Sequence, residues 1–172
     1  MSKIVTDLEI LRASNGTVSL QESKQIINDL DIALQNSTMS GLGLAAPQIG
    51  INKRVAIVRA YGELINLVNP VIIEKEDGFI NTNEGCLSIP GTFVNTQRYK
   101  EIFIKDDLHP DGVVAVGDVA VVMQHEIDHL DGILMIDRAI GKGKIGRNEK
   151  CPCGKVVNGK PVKYKKCHGK NY

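Results

Sequence analysis

The stretch Val119-Ala120-Val121-Val122-Met123-Gln124-His125-Glu126-Ile127-Asp128-His129-Leu130 most constrains how this chain can fold. Its apolar residues fall nearly all round a helical wheel, and a helix of that kind has to be covered on every side. Yet it also carries a glutamine, two acids and two histidines. Buried polar groups of that sort need partners. His125 and His129 are four apart, so both rings leave one helical face about a turn from each other. That separation suits two corners of a metal tetrahedron, and Glu126 beside them can handle the proton of a metal-held water. A catalytic site needs a third protein ligand and an open position. Cys86, in Glu84-Gly85-Cys86-Leu87-Ser88, is a candidate and is the only cysteine before the tail. A lone cysteine also serves as a small buried hydrophobe.

The rest of the chain supplies material to cover the helix. Asp118 is a cap for it and Gly132 its stop, which puts the helix at Val119 to about Asp131. Ser19-Leu20-Gln21-Glu22 is a capping-box pattern. Behind it Ile26, Ile27, Leu30, Ala33 and Leu34 recur at helical spacing, which predicts a helix from Leu20 to about Asn36. Val- and Ile-rich runs predict short strands at 54–59, 64–68, 71–75, 79–83, 101–105 and 113–116, separated by Gly, Asn, Asp and Pro. Gly41 to Gly50 carries too much Gly and Pro for an element interior and reads as a loop whose backbone approaches something closely. The fold class is α+β, with short, mostly antiparallel strands packed around a central HExxH helix.

Charge divides the 172 residues. Residues 1–140 hold 11 Lys+Arg and 19 Asp+Glu, 11 − 19 = −8, whereas 141–172 hold 10 and one, 10 − 1 = +9. An acidic body and a basic tail with its own partner follow. The Gly/Lys alternation at 141–147 reads as a linker, leaving 1–140 as the body and 148–172 as the tail. No run approaches the roughly 20 apolar residues of a membrane span, and the N-terminus has no apolar segment of signal-peptide length. The chain reads as cytoplasmic, where disulfides do not persist.

Three segments together resemble the peptide deformylase family: Gly41-Leu42-Gly43-Leu44-Ala45-Ala46-Pro47-Gln48, Glu84-Gly85-Cys86-Leu87-Ser88 and Gln124-His125-Glu126-Ile127-Asp128-His129. The resemblance covers roughly Leu8 to Arg138. It implies an enzyme that removes the formyl group from formyl-methionyl nascent polypeptides. Cys86, His125 and His129 would hold one divalent metal, Fe(II) in most of the family, with Zn, Ni or Co tolerated. Metal-held water would attack the formyl carbon, with Glu126 as general base and then acid. Gln48 and the backbone N–H of Leu87 would donate to the oxyanion. Leu42, Gly43, Gly85, Val121 and Val122 would bind the substrate, the valines serving equally well as ordinary core. Glu84 and Arg98 match the family's acid–arginine pair. The segment from Gly112 to Gln124 is shorter than in many relatives, so the sheet covering the helix should be thinner. An HExxH metalloprotease and a non-catalytic adapter are rival readings, but the first does not explain the segments at 41–48 and 84–88, and intact Glu126, Gln48 and Cys86 argue against the second.

The tail places Cys151, Cys153, Cys167 and His168 as a closed set for structural zinc, and a segment so short and basic needs a metal to fold. It resembles the SEC-C motif, the zinc-binding tail of the SecA translocation ATPase. The gap between Cys153 and Cys167 is longer than usual for that motif. Asn158-Gly159, a turn pair, lies within it and suggests a longer loop. Basic residues around a zinc knuckle suit an anionic partner, and for an enzyme acting on nascent chains the expected partner is ribosomal RNA or protein. Of the four histidines only His109 is then left without a role.

Overall fold

The structure, a computed structural model, describes residues 4–37, 41–140 and, of the tail, 156–157, 159–163 and 166. It is a mixed α/β chain with antiparallel strands. After a single helical turn, α1 (Leu8–Leu11), comes α2 (Leu20–Gln35). Both halves of the predicted capping box form. The Ser19 hydroxyl accepts from Glu22 N, and the Glu22 carboxylate accepts from Ser19 N.

One three-stranded sheet follows, in the order β1 (Gly43–Ala45), β2 (Val55–Ala60), β3 (Glu63–Val68). β2 explains why its sequence is apolar without alternation. Val55 and Ile57 pack toward α2, whereas Ala56 and Val58 pack toward the second helix core. A strand buried on both faces has no polar side to show. The second sheet has the order β4 (Val71–Cys86), β5 (Ile89–Lys105), β6 (Val113–Val116). From β6 the chain turns through Gly117, at φ +60°, directly into α3 (Gly117–Leu130).

α3 carries the His125/His129 pair and packs against β1 and β2 of one sheet and β5 and β6 of the other. Its ties are specific. The Gln124 amide donates to Tyr99 O and accepts from Tyr99 N, pinning the helix to β5. At its C-terminus, Asn15 donates to the carbonyls of His129 and Leu130, and Arg54 donates to Leu130 O. The last carbonyls of a helix lack intrahelical donors, and here two side chains supply them.

Three expectations need correction. Gly41 to Gly50 is not wholly a loop: Gly43–Ala45 pairs with β2, and Ala46–Ile49 is a short 3₁₀ turn. The segments at 71–75 and 79–83 are one strand. Pairing with β5 runs from Val71 to Cys86 through three irregularities, with Asp77 and Asn83 at positive φ. Asp118 lies in the first turn of α3, whereas the cap position is Val116. In the tail, Val156–Val157 pairs antiparallel with Lys160–Pro161. Cys151, Cys153, Cys167 and His168 lie outside the described residues. Among the described residues, no helix is long and apolar enough to cross a membrane.

Candidate active site

The two segments that meet at the site, β4 and α3, are separated in the chain by β5 and β6. Cys86 ends β4, and α3 brings His125 and His129 against it. Cys86 Sγ lies 3.2 Å from His129 Nε2. Ligand atoms of Cys86, His125 and His129 all fall within 4.8 Å of one another, and all three residues are buried. The imidazoles meet edge to face, with centroids 5.0 Å apart.

The donor chemistry fits a divalent metal. His125 Nδ1 lies 2.7 Å from Glu84 Oε1. With Glu84 ionised, Nδ1 carries a hydrogen to it, and Nε2 is the nitrogen left on the side of Cys86. Glu84 is held ionised despite burial. It accepts from Thr96 Oγ1 at 2.6 Å, Arg98 Nε at 2.9 Å and Asn81 Nδ2 at 3.0 Å, besides Arg98 Nη2 and His125. Burial raises its pKa, but bonds to Arg98 and His125 win and hold it below the usual carboxylate range. Burial disfavours protonation of His125 too. Its bonds to Cys86 and Glu84 outweigh that and push its pKa up to about 10. A metal on Nε2 would take the place of that proton, so uptake releases acid. His129 goes the other way, down to about 3, through burial first and then the neighbouring charge of His125.

Glu126 differs from Glu84. No protein group bonds its buried Oε2 among the described residues, and burial lifts its pKa to about 7. Its carboxyl group lies against β1. A Cβ at Gly43 would fall 2.5 Å from Glu126 Oε1. The close approach expected of the Gly-rich segment is therefore to this carboxylate. Gln48, in the 3₁₀ turn after β1, is oriented by its own Oε1, which accepts from Ala45 N at 2.8 Å. Its Nε2 is thereby turned to Ser88 Oγ at 3.2 Å and Cys86 Sγ at 3.6 Å.

These groups open on a cavity of about 280 Å³. Gln48, Cys86, Leu87, His125 and Glu126 line it together with Leu42, Gly43, Gly85, Val121 and Val122. Every residue proposed for catalysis or substrate binding from the sequence is therefore on its wall, and His129 lies behind it. Leu42 stands at the lip, 57 % exposed. The leftover His109 is bound locally to Asp106 Oδ1 and is not among the residues that line the cavity. Sequence reasoning gave no role to Asn81, Thr96, Asp128 and Arg138, which complete the charge network around Glu84. Asp128 carried a signal. An acid inside an all-round apolar helix calls for a cation, and Arg98 and Arg138 are its partners.

Comparison with known proteins agrees with this arrangement. The family model "Polypeptide deformylase" matches residues 1–145. Peptide deformylase 2 of Clostridium acetobutylicum is 40% identical over 135 residues, spanning 75% of this chain and 88% of that one. The crystal structure of peptide deformylase from Thermotoga maritima superimposes with a TM-score of 0.72 at 32% identity, over 82% of this chain and 99% of that chain. A Met-Ala-Ser-bound peptide deformylase from Acinetobacter baumannii gives 0.69 at 31%, over 80% and 99%. The chain belongs to the peptide deformylase family, metal-dependent hydrolases that remove the N-formyl group from nascent peptides.

Proposed function

We propose that Cys86, His125 and His129 hold one divalent metal, natively Fe(II), and that Glu126 moves the protons of the deformylation. The supporting observation is the convergence of one sulfur and two imidazoles beside a buried carboxyl with a free oxygen. When bound, the metal supplies Lewis-acid chemistry, acidifying a water and polarising the formyl oxygen. Glu126 takes a proton from the attacking water at Oε2 and returns it to the departing amine nitrogen. A carboxyl lifted to about 7 is well matched to both halves of that transfer. Gln48 Nε2, already aimed past Cys86, donates to the oxygen that becomes negative, and the Leu87 backbone N–H is its companion.

The unbranched methionine side chain enters between Leu42, Val121 and Val122, and Gly43 and Gly85 let the peptide backbone come close. The Met-Ala-Ser peptide bound by the Acinetobacter baumannii relative has the chemistry of a deformylated product and suits the same cavity. Glu126→Gln is expected to keep the metal and lower kcat by about 10²- to 10⁴-fold on a formyl-Met peptide. Metal loss, or turnover within a factor of two of wild type, would contradict the assignment.

We also propose that residues 148–172 form a SEC-C-like module in which Cys151, Cys153, Cys167 and His168 bind one structural zinc. The body (1–140) and the linker (141–147) complete the domain plan, in a cytoplasmic protein. The support is in the sequence: three thiols and an imidazole within residues 141–172, a stretch of charge +9. The tail would dock on the ribosome through its cationic surface and raise the local substrate concentration. Deleting 144–172 should lower ribosome co-sedimentation and spare turnover of a short formyl peptide. Equal co-sedimentation with and without the tail would end this reading.

A further inference from the structure

We propose that Arg138 is a positioning residue for the metal ligand His125, acting through Asp128, Arg98 and Glu84. The inference rests on the metal-site reading above and extends it to a residue outside the three motif segments.

Four charged side chains alternate in sign away from the metal ligand. His125 Nδ1 bonds Glu84 Oε1 at 2.7 Å. Arg98 grips Glu84 through Nε and Nη2 and reaches Asp128 Oδ2 through Nη1 at 2.6 Å. Arg138 closes the row with a paired grip on Asp128, Nη2 to Oδ1 at 2.6 Å and Nε to Oδ2 at 2.9 Å. Glu84, Arg98 and Asp128 are buried, and only the Arg138 side chain, 38% exposed, reaches solvent. The row is neutral as a whole: two carboxylates and two guanidiniums. Without Arg138, Arg98 is the one cation left between two buried anions. A single guanidinium cannot keep both its paired bonds to Glu84 and a full pairing with Asp128. Any turn toward Asp128 loosens the carboxylate that orients His125.

The segment bearing Arg138 is fastened to the same place by the backbone. Ala139 bridges Thr96, and Ile140 N donates to Asn95 O at 2.7 Å. Thr96 itself donates to Glu84. Residues 138–140 thus reach Glu84 by two routes, one through side chains and one through β5.

The test uses the full chain loaded with Co(II). Cobalt at the site is identified as the ligand-field absorption that Cys86→Ala abolishes, and its release to excess EDTA is timed. R138M is expected to release cobalt about 3- to 10-fold faster than wild type, less than the roughly 10- to 100-fold typical of groups bonded directly to a ligand, because Arg138 acts through three intervening side chains. R138K, which keeps the charge but not the paired geometry, should fall between. D128N should match R138M, and the double variant should be no faster than the faster single one, because both act on the same link. Deformylation should show a lower kcat at unchanged KM. A wild-type release rate in R138M overturns the proposal, and so do effects of R138M and D128N that multiply in the double variant. If R138M fails to fold, R138K carries the test: release at least about twofold faster supports the positioning role, and an unchanged rate overturns it. If wild type binds no Cys86-dependent cobalt, the metal-site reading itself fails. Unaltered release with cobalt bound removes only the role of Arg138.

Discussion

At the residue scale, two glutamates in similar burial have opposite chemistry because their neighbours differ. Glu84 accepts from several donors and stays ionised, so it can only orient His125. Glu126 has an oxygen with no protein partner and a pKa raised by burial, so it can exchange a proton near neutrality. Gly43 is what allows that second carboxyl to lie where it does. In Gly43→Ala the new Cβ would stand 2.5 Å from Glu126 Oε1. It would also stand 2.8 Å from Cγ and 2.9 Å from Cδ, so the whole buried Glu126 side chain has to move. The expected outcome is a lower Tm together with a kcat per folded molecule reduced at least about 10-fold, since a displaced general base loses most of its contribution. A thermal melt beside a formyl-peptide assay reads both. A large drop in Tm with unchanged kcat per folded molecule would show that Gly43 serves packing instead.

At the level of elements, the helices were the most legible part of the sequence. The Ser19/Glu22 pattern located the start of α2, and the all-round apolar face of α3 implied cover on several sides. The long β4–β5 hairpin was less so. Glu76-Asp77-Gly78 looks like a break between strands, yet pairing runs through it because Glu76 and Asp77 face solvent. Polar residues and a positive φ at Asp77 mark an irregularity in the ladder, not its end. β1 was missed because its glycine is there for Glu126, and nothing local to Gly43 reveals a neighbour so far along the chain. The join between α1 and the 3₁₀ turn at Met135–Arg138 is an ion pair, Arg12 with both oxygens of Asp137. Its bond to Arg12 holds the Asp137 carboxyl below its ordinary value. A depressed carboxylate stabilises the fold above its unfolded-state pKa, and that contribution fades as pH falls through the folded one. Both side chains are over a third exposed, so solvent screening keeps the pair under about 1 kcal/mol. Asp137→Asn should therefore lower denaturant stability slightly at pH 7 and have no effect near pH 2. An equal loss at both pH values would contradict the ion-pair account.

Over the whole molecule, the site is an intersection. β4 delivers the thiol, α3 the imidazoles and the general base, and the turn after β1 the amide donor. Packing α3 between the two sheets brings them to one cavity wall. The identities of these residues were readable from the sequence because each lies in a short motif. Their mutual support, beyond the Glu84–Arg98 pair, was not. Thr96, Arg98, Asp128 and Arg138 meet Glu84 or one another only after the sheets and helix assemble. The central claim is that one cation, held by Cys86, His125 and His129, is required for deformylation. Its most direct test purifies wild type and Cys86→Ala without oxygen and measures metal per chain and turnover of a formyl-Met peptide on the same samples. The account predicts that the variant, still folded, carries one metal fewer and has no measurable turnover. Equal metal content with unimpaired turnover would contradict it.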